Sequence, residues 1–365
     1  MRDPLTRVTT RIAYAATQLP RLAWYAGHDY VMRQLAAQAR RQSPPRDGAT
    51  TPARSVNVPD QRRVYADLAN LLAQDLANIE AGLYPLPADH DGTLLTRLRR
   101  SRLFFADLPA VHRRRERKAT REVLTEATAG KRPKYFLQNF HYQSGGWLTE
   151  ESADRYDTQV EVLFKGSANA MRRQALPPLH EIFAGRDQRR LRLLDIACGT
   201  GRFLDFVKQA WPRLPVVGLD LSEAYCRHAR HHLRGWSRVD LVVGNAEALP
   251  APDDSFDAVT CIFTFHELPP RARRNAIREC ARVLKPGGRL VFLEHVAADS
   301  RPGRLKWQRR IEPVWKHLMG NCHLTRRTEA AIVAAGFNFE RIQRESIRKA
   351  LPIVRPSIRG LARKP

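Results

Sequence analysis

A glycine-rich loop stands between an apolar segment and a helical segment in the middle of the chain. Residues 193–197 are the apolar segment, and Gly199, Thr200 and Gly201 follow. Because glycine has no side chain, a ligand can approach the backbone N–H groups of such a loop closely. Asp220 lies 19 residues after Gly201, at the end of the next apolar segment. A carboxylate at that point can accept hydrogen bonds from two ribose hydroxyls.

The same loop and acidic residue also occur in dinucleotide-binding enzymes, which carry a third glycine at the start of the following helix. That glycine would fall at position 204, where this chain has Leu204. The start of the helix is therefore less suited to a pyrophosphate. The pattern favours a cofactor that contains a ribose but no phosphate.

Five segments follow one another over residues 190–300: DIACGTGRFL, VVGLDLS, GNAEALP, FDAVTCIFTFHELP and VLKPGGRLVFLEH. In this order and spacing they resemble the successive motifs of class I S-adenosylmethionine-dependent methyltransferases, with a domain similar to methyltransferase type 11. The resemblance implies an α/β fold with a Rossmann-like, doubly wound, seven-stranded sheet whose last strand is antiparallel. It also implies that S-adenosylmethionine binds across the carboxyl ends of the strands.

The resemblance implies roles for individual residues. Asp195, Gly199 and Gly201 would surround the methionine portion of the cofactor, Asp220 would bind the ribose, and Asn245 would lie at the adenine edge. Asn245 replaces the more usual Asp, and its amide oxygen can still accept a hydrogen bond from the exocyclic amine. The predicted cofactor-binding residues are Asp195, Ala197, Gly199, Thr200, Gly201, Asp220, Leu221, Asn245, Ala246 and Phe263.

Candidate catalytic residues follow the fourth and fifth apolar segments, because the segment after the fourth strand lies nearest the transferring methyl group in this fold. We predict His266 and His295 as catalytic residues, with Thr264 and Glu267 close by. The alternative for His266 is a structural histidine at the start of a helix. His141, Tyr142 and Tyr156 are candidates to cover the pocket.

The acceptor side lacks the motif with which nucleic-acid amino methyltransferases hold an exocyclic amine. An Asn/Asp-Pro-Pro-Tyr sequence would fall at residues 263–267, where the chain reads Phe-Thr-Phe-His-Glu. Apolar side chains at this point favour a small or lipophilic acceptor.

The elements that position these residues follow from hydrophobic periodicity. Short apolar runs alternate with helical stretches after residue 190, as in a parallel sheet with crossover helices. The predicted strands are 191–197, 216–220, 239–243, 256–263 and 289–294, and the predicted helices are 203–211, 223–233 and 271–284. Pro286, Gly287 and Gly288 are predicted to form a turn into the fifth strand.

We divide the chain into a basic amphipathic helical segment (1–42), a linker (43–59), a helical N-terminal region and cap (60–189), the cofactor-binding domain (190–345) and a basic C-terminal strand or tail (346–365). The linker is rich in Pro, Ser and Thr. The first segment is either a helix packed on the domain or a separable helix on a membrane surface. Its apolar pattern consists of Leu19, Leu22, Trp24, Tyr25, Val31 and Leu35.

The composition restricts the class of protein and its partners. The chain has 365 residues, 43% apolar content and a net charge of +25, so it can bury a large core and is attracted to anionic surfaces. An Arg-rich composition also arises without any binding role. Its five cysteines have no zinc-like spacing, so we expect no metal site and a reducing, cytoplasmic setting. Peripheral contact with an anionic membrane is a further expectation.

Three functions remain open at this point. The first is methyl transfer from S-adenosylmethionine to a small, lipophilic acceptor, either a small molecule or a lipid. The second is a nucleic-acid or ribosome-associated methyltransferase, which the charge favours and the missing amine-binding motif disfavours. The third is a non-catalytic protein that retains the fold, against which the intact Gly199, Gly201 and Asp220 argue.

Overall fold

The computed structural model describes residues 3–42, 61–295, 302–319, 323, 325–346 and 356–365. The predicted linker at 43–59 and most of the first half of the predicted C-terminal tail lie outside these residues. None of the helices in the described ranges is both long and apolar enough to cross a bilayer.

A seven-stranded sheet forms the centre of the fold, in the order β3-β2-β1-β4-β5-β7-β6. The strands are β1 (Leu193–Ile196), β2 (Val216–Asp220), β3 (Val239–Val243), β4 (Phe256–Ile262), β5 (Leu284–His295), β6 (Asn338–Ser346) and β7 (Pro356–Arg363). Strands β1 to β5 are parallel, and β7 is antiparallel to both of its neighbours. The expected Rossmann-like sheet with an antiparallel last strand is confirmed.

Strand order reverses between β1 and β4, because the chain first builds β2 and β3 on one side and then returns to add β4 on the other. In open parallel sheets, ligands bind at the carboxyl ends of the strands at such a reversal. The glycine-rich loop of residues 197–201, called the cofactor loop below, leaves β1 at this point. The fold therefore places Asp195, Asp220 and the residues after β4 at one end of the sheet.

Helices cover both faces of the sheet, and six of the described helices precede β1 in the chain. The described residues contain α1 (Pro4–Gln42), α2 (Gln61–Glu80), α3 (Leu94–Arg117), α4 (Glu150–Leu163), α5 (Ala168–Arg173), α6 (Leu176–Phe183), α7 (Arg202–Ala210), α8 (Glu223–His232), α9 (Pro270–Val283), α10 (Pro302–Met319) and α11 (Thr328–Ala334). Two apolar cores form, one on each face of the sheet. Every residue of β1 is buried, which explains why this strand reads as a continuous apolar run.

The predicted turn at Pro286 lies inside a longer strand. Leu284 pairs with Phe256, whereas Arg289 pairs with Ala258, so the intervening residues bulge out of the ladder. Gly287 has φ +72° in this bulge, a conformation that glycine adopts without strain. The fifth strand therefore begins five residues earlier than the apolar run alone indicates.

Part of the predicted C-terminal strand or tail forms strand β7. Residues 356–363 pair with both β5 and β6, so this part of the predicted 346–365 tail belongs to the same sheet as β1. Short-range periodicity does not contain this information, because the pairing joins residues that are distant along the chain.

Helix α1 packs against the domain through a mixed polar and aromatic face. Tyr14, Gln18, Arg21, Tyr25 and His28 are buried and recur at helical spacing. The Arg21 guanidinium lies 2.6 Å from Glu161 and 2.7 Å from Asp91. Such a face requires its partners, so the contacts favour a packed helix over a separable one.

The apolar residues used to predict α1 lie on both sides of the helix, with Leu22 and Trp24 half-buried. The side chains of Leu19, Val31 and Leu35 are exposed, although Tyr25 is buried as expected. The reason is that the buried face is held by hydrogen bonds and ion pairs as well as by apolar contacts. A second, exposed apolar stripe remains on the opposite side, at Leu5, Val8, Ile12 and Leu19.

Candidate cofactor and acceptor site

The loop between β1 and α7 needs its two glycines for different reasons. Both have positive φ, +57° at Gly199 and +80° at Gly201. A Cβ on Gly199 would meet nothing within 4 Å, so a side chain there would project into the open space in front of the loop. A Cβ on Gly201 would lie 2.9 Å from the Leu233 side chain. Gly199 therefore leaves room for a ligand, and Gly201 lets α7 pack against α8.

Asp220 connects the end of β2 to this loop. One carboxylate oxygen accepts the backbone N–H of Gly199 at 2.9 Å, and the other accepts that of Ser222 at 2.8 Å. Burial raises the pKa of Asp220, although these backbone hydrogen bonds act in the opposite direction. A carboxylate has about four lone-pair sites, so each oxygen retains capacity for a further donor. The two backbone hydrogen bonds thus hold the Asp220 carboxylate, which is predicted to bind the ribose, in a fixed orientation at the cleft.

Asp195 lies on the neighbouring strand and carries the most unusual carboxyl of the site. Its Oδ1 accepts a hydrogen bond of 2.6 Å from the Thr260 hydroxyl, and the residue is 2% exposed. Burial raises the pKa of Asp195 to about 7, and Asp220 raises it further while Thr260 lowers it. Two carboxyl groups on adjacent strand ends make this cleft favourable for a cation.

The predicted adenine end opens as a cleft of about 410 Å³. Leu221, Val243, Gly244 and Asn245 line one side, and residues 131–133 line the other. Asn245 Oδ1 accepts the backbone N–H of Glu247 at 3.0 Å, so one of its lone pairs is already used. Ala246 packs against the core on this face of the sheet.

A cap segment between α3 and α4 closes over this end. The Tyr135 hydroxyl donates to Glu247 at 2.8 Å, and the Ser222 hydroxyl donates to the carbonyl of Trp147. The Trp147 ring stacks on Phe140 with centroids 3.5 Å apart. The cap thereby contacts the loops after both β2 and β3.

Residues that the sequence did not single out fix the cofactor loop from outside. Asp157 on α4 accepts the Thr200 hydroxyl at 2.7 Å and the Arg202 Nε–H at 2.8 Å. Arg202 also donates to the carbonyl of Asp89 at 2.7 Å. The Thr200 hydroxyl donates its proton within the protein, which leaves its backbone N–H as the group able to bind a cofactor. The residues are too far apart in sequence for a local motif to reveal the contact.

On the acceptor side, His266 lies between two carboxylates. Its Nδ1 faces Glu294 Oε1, its backbone N–H donates to Glu294 Oε2 at 3.1 Å, and its Nε2 lies 3.1 Å from Glu267 Oε1. His266 is 5% exposed. His141 approaches the same Glu267 oxygen at 3.7 Å.

Phe263, Tyr142 and His295 are the other residues predicted to lie near the acceptor. Phe263 has φ +56° at the end of β4 and packs against the apolar core. Tyr142 is buried, with the Arg115 guanidinium 5.9 Å from its ring centroid. His295 is the last residue of β5, where it pairs with Ser357, and its side chain lies outside the described part of the structure.

Comparison with known proteins agrees with the fold and the position of the loop. Residues 193–288 match the methyltransferase domain family. Malonyl-[acyl-carrier protein] O-methyltransferase of Methylococcus capsulatus is 37% identical over 164 residues, which are 45% of this chain and 58% of that protein. Thiol S-methyltransferase TMT1A of Homo sapiens is 29% identical over 59% of this chain and 87% of its own length.

A third relative is the ubiquinone/menaquinone biosynthesis C-methyltransferase UbiE of Geobacter sulfurreducens, 35% identical over 42% of this chain and 59% of its own. The chain thus spans less than two thirds of the length of two of these three relatives. Sheet order, loop and family match together define the class. The chain contains a class I S-adenosylmethionine-dependent methyltransferase domain.

Proposed function

We propose that the protein transfers a methyl group from S-adenosylmethionine to a small, lipophilic acceptor. The observation that carries the proposal is the pair of carboxyl groups beside Gly199 at the ends of adjacent strands, the buried Asp195 and the half-buried Asp220. S-Adenosylmethionine supplies a ribose for hydrogen bonding and an electrophilic methyl group on a cationic sulfur. The carboxyl groups provide acceptors for the first and a favourable field for the second.

The same region is poorly suited to a phosphate-containing cofactor. Asp157 lies beside Thr200 at the start of α7, and Asp205 occupies the first turn of that helix. Asp157 thereby accepts the Thr200 hydroxyl and pairs with Arg202, so two donors at the start of α7 that could bind a phosphate are already used. This arrangement supports a ribose-containing, phosphate-free cofactor over a dinucleotide.

The acceptor class rests on the surroundings of β4 and on the relatives. Ile262 at the end of β4 and Phe263 directly after it pack against the apolar core. The relatives are named as O-, S- and C-methyltransferases, and their printed names refer to a malonyl carrier protein, thiols and quinones. They support a small or carrier-linked acceptor, but they do not share one acceptor atom.

Calorimetry tests the proposal directly. Purified protein should bind S-adenosylmethionine and S-adenosylhomocysteine, and folded protein that binds neither would exclude it. The Asp220→Ala variant should weaken binding by about 1–3 kcal/mol, because it removes a charged hydrogen-bond partner from a buried site. The control is Asp240→Ala on β3, where the aspartate is exposed and outside the cleft. Equal affinities of the two variants would show that the ribose is held elsewhere.

We also propose that the exposed stripe on α1 contacts an anionic membrane, which would bring the enzyme to a lipophilic acceptor. The side chains of Leu5, Ile12 and Leu19 are 73%, 64% and 62% exposed, and α1 belongs to a chain with a net charge of +25. An apolar helix face combined with basic charge binds the surface of an anionic bilayer.

Sedimentation with vesicles tests this surface. We expect the protein to bind phosphatidylglycerol vesicles at low salt and to dissociate at high salt, since the attraction fades over a Debye length of about 8 Å at physiological ionic strength. Ile12→Glu with Leu19→Glu should abolish binding without changing cofactor affinity. The matched control carries Val314→Glu and Val333→Glu, which are exposed on α10 and α11. Preference for RNA over vesicles would favour the nucleic-acid alternative.

A further inference from the structure

The Glu294–His266–Glu267 group has more hydrogen-bonding capacity than its own members use. His266 directs one ring nitrogen to each carboxylate, so neither nitrogen is left to face an acceptor. The backbone N–H of His266 also donates to Glu294, which is 0% exposed. The histidine is therefore clamped in orientation and holds Oε1 of Glu267 in place.

The second oxygen of Glu267 is different. The Glu267 side chain is 7% exposed, yet its Oε2 has no hydrogen-bond partner among the described residues. An unpaired acceptor that is shielded from water destabilises the protein, and more so when it is charged. A buried carboxylate oxygen of this kind is suited to a donor that arrives with a ligand.

Tyr156 lies within electrostatic range of both Glu267 and Asp220, the predicted ribose-binding carboxylate. Burial raises the pKa of Tyr156, and the charges of both Asp220 and Glu267 contribute to that rise. The Tyr156 ring packs edge-on against Tyr225, with centroids 5.3 Å apart. The tyrosine thus lies within electrostatic range of the cofactor side and of the acceptor side.

We propose that Glu267 Oε2 binds the X–H group of the acceptor, a hydroxyl or a thiol, and receives its proton during methyl transfer. This inference rests on the proposed function. Transfer forms the bond from the acceptor atom to the methyl carbon and breaks the bond from that carbon to sulfur, whose electron pair remains on sulfur. The acceptor's proton passes to Glu267, which becomes neutral as the cofactor loses its positive charge.

The acidity of Glu267 sets when the proton moves. Burial by itself raises the pKa of Glu267, but the neighbouring histidines, His266 above all, outweigh burial and lower the pKa to about 2. Such a carboxylate is too weak a base to ionise a free thiol or phenol, whose pKa values are about 8.5 and 10. The X–H group becomes far more acidic as its heavy atom gains the methyl group. The proton therefore leaves late, when the new bond is largely formed.

A route to solvent completes the cycle. His141 Nε2 lies 3.7 Å from Glu267 Oε1, and the His141 side chain is 38% exposed. It can pass the proton from the carboxyl group to water after product formation. Glu267 is thus the acceptor-facing base, and His266 is the residue that positions it.

Binding of two cofactor analogues tests the location of Glu267 without requiring an identified acceptor. S-Adenosylhomocysteine has no group at the methyl position, whereas sinefungin carries an amine there, which can donate hydrogen bonds to a nearby carboxylate. Calorimetry on the full chain should show that Glu267→Gln weakens sinefungin about tenfold or more and leaves S-adenosylhomocysteine within about twofold. The control Glu340→Gln, in a surface pair with Arg289, should change neither affinity.

The outcomes are separable. An unchanged ratio of the two dissociation constants in Glu267→Gln would overturn the inference while leaving the proposed function intact. Failure of the native protein to bind either analogue would instead remove the proposed function and the inference with it. If Glu267→Gln does not fold, Glu267→Asp retains the charge and withdraws it by one methylene. A sinefungin affinity unchanged in that variant, relative to S-adenosylhomocysteine, would also contradict the placement.

Discussion

Replacing Arg173 with Met should lower the free energy of unfolding by about 3–5 kcal/mol, the usual cost of removing one partner from a buried ion pair. Arg173 is 0% exposed and donates to both oxygens of Asp75, which is also 0% exposed. It also lies 2.9 Å from Asp89. The substitution keeps most of the side-chain volume, so the loss reports the uncompensated aspartates and not a cavity.

Urea unfolding provides the measurement, and two further variants separate the causes. Arg189→Met breaks a surface ion pair, in which Arg189 is 56% exposed and Asp187 is 37% exposed. It should cost far less stability than Arg173→Met, because water screens an exposed pair. Asp75→Asn combined with Arg173→Met should recover part of the stability, because the buried negative charge is removed together with its partner. A loss at Arg173 no larger than that at Arg189 would show that water reaches the pair.

This ion-pair network shows why the N-terminal region is harder to predict than the sheet. Strands β2 and β3 begin and end at the predicted residues, because short runs rich in Val and Leu mark both strands in the sequence. The buried side of α1 is instead marked by Gln18, Arg21 and His28, residue types that normally indicate a solvated face. Their burial depends on partners from distant parts of the chain, which one-dimensional periodicity cannot identify.

The candidate site also contains some residues that a local sequence pattern predicts and others that depend on contacts between distant segments. The loop with Gly199 and the acid at Asp220 could be predicted, because a local strand-turn-helix pattern determines their geometry. The support from Asp157 could not, since its contact with Thr200 joins an N-terminal helix to the cofactor loop. Glu267 was visible as a neighbour of His266, but its unpaired oxygen depends on how both side chains pack.

Replacing Asp195 with Asn should stabilise the protein at pH 8 by up to about 4 kcal/mol and leave its stability near pH 4 almost unchanged. Burial raises the pKa of Asp195 to about 7 in the folded protein, against an ordinary value of 3.8. A difference of about three pKa units corresponds to about 4 kcal/mol. A raised carboxyl pKa gives stability that is fully present below 3.8 and lost as the pH rises toward 7.

The variant isolates this effect because Asn has nearly the same shape and keeps an oxygen for the Thr260 hydroxyl. Other carboxyl groups titrate over the same range, but they do so in both proteins. The difference in the free energy of unfolding between native protein and variant, measured in urea at pH 4, 6 and 8, therefore reports the ionisation of Asp195. It includes the effect of Asp220, whose charge also raises the pKa of Asp195. A difference that does not grow between pH 4 and pH 8 would contradict the prediction.

Replacing Asp195 with Asn should have the opposite effect on cofactor binding at pH 8, which it should weaken. The cationic groups of S-adenosylmethionine favour the ionised carboxylate, so its affinity for the native protein should rise between pH 6 and pH 8 as Asp195 loses its proton. Asp195→Asn should remove most of this rise and bind the cofactor more weakly at pH 8, although the variant is more stable there. Calorimetry at both pH values tests the pair of effects. Together they would show that the chain keeps an unfavourable buried carboxyl because the cofactor requires it; an unchanged pH dependence of binding in Asp195→Asn would assign the cation-binding role to Asp220 instead.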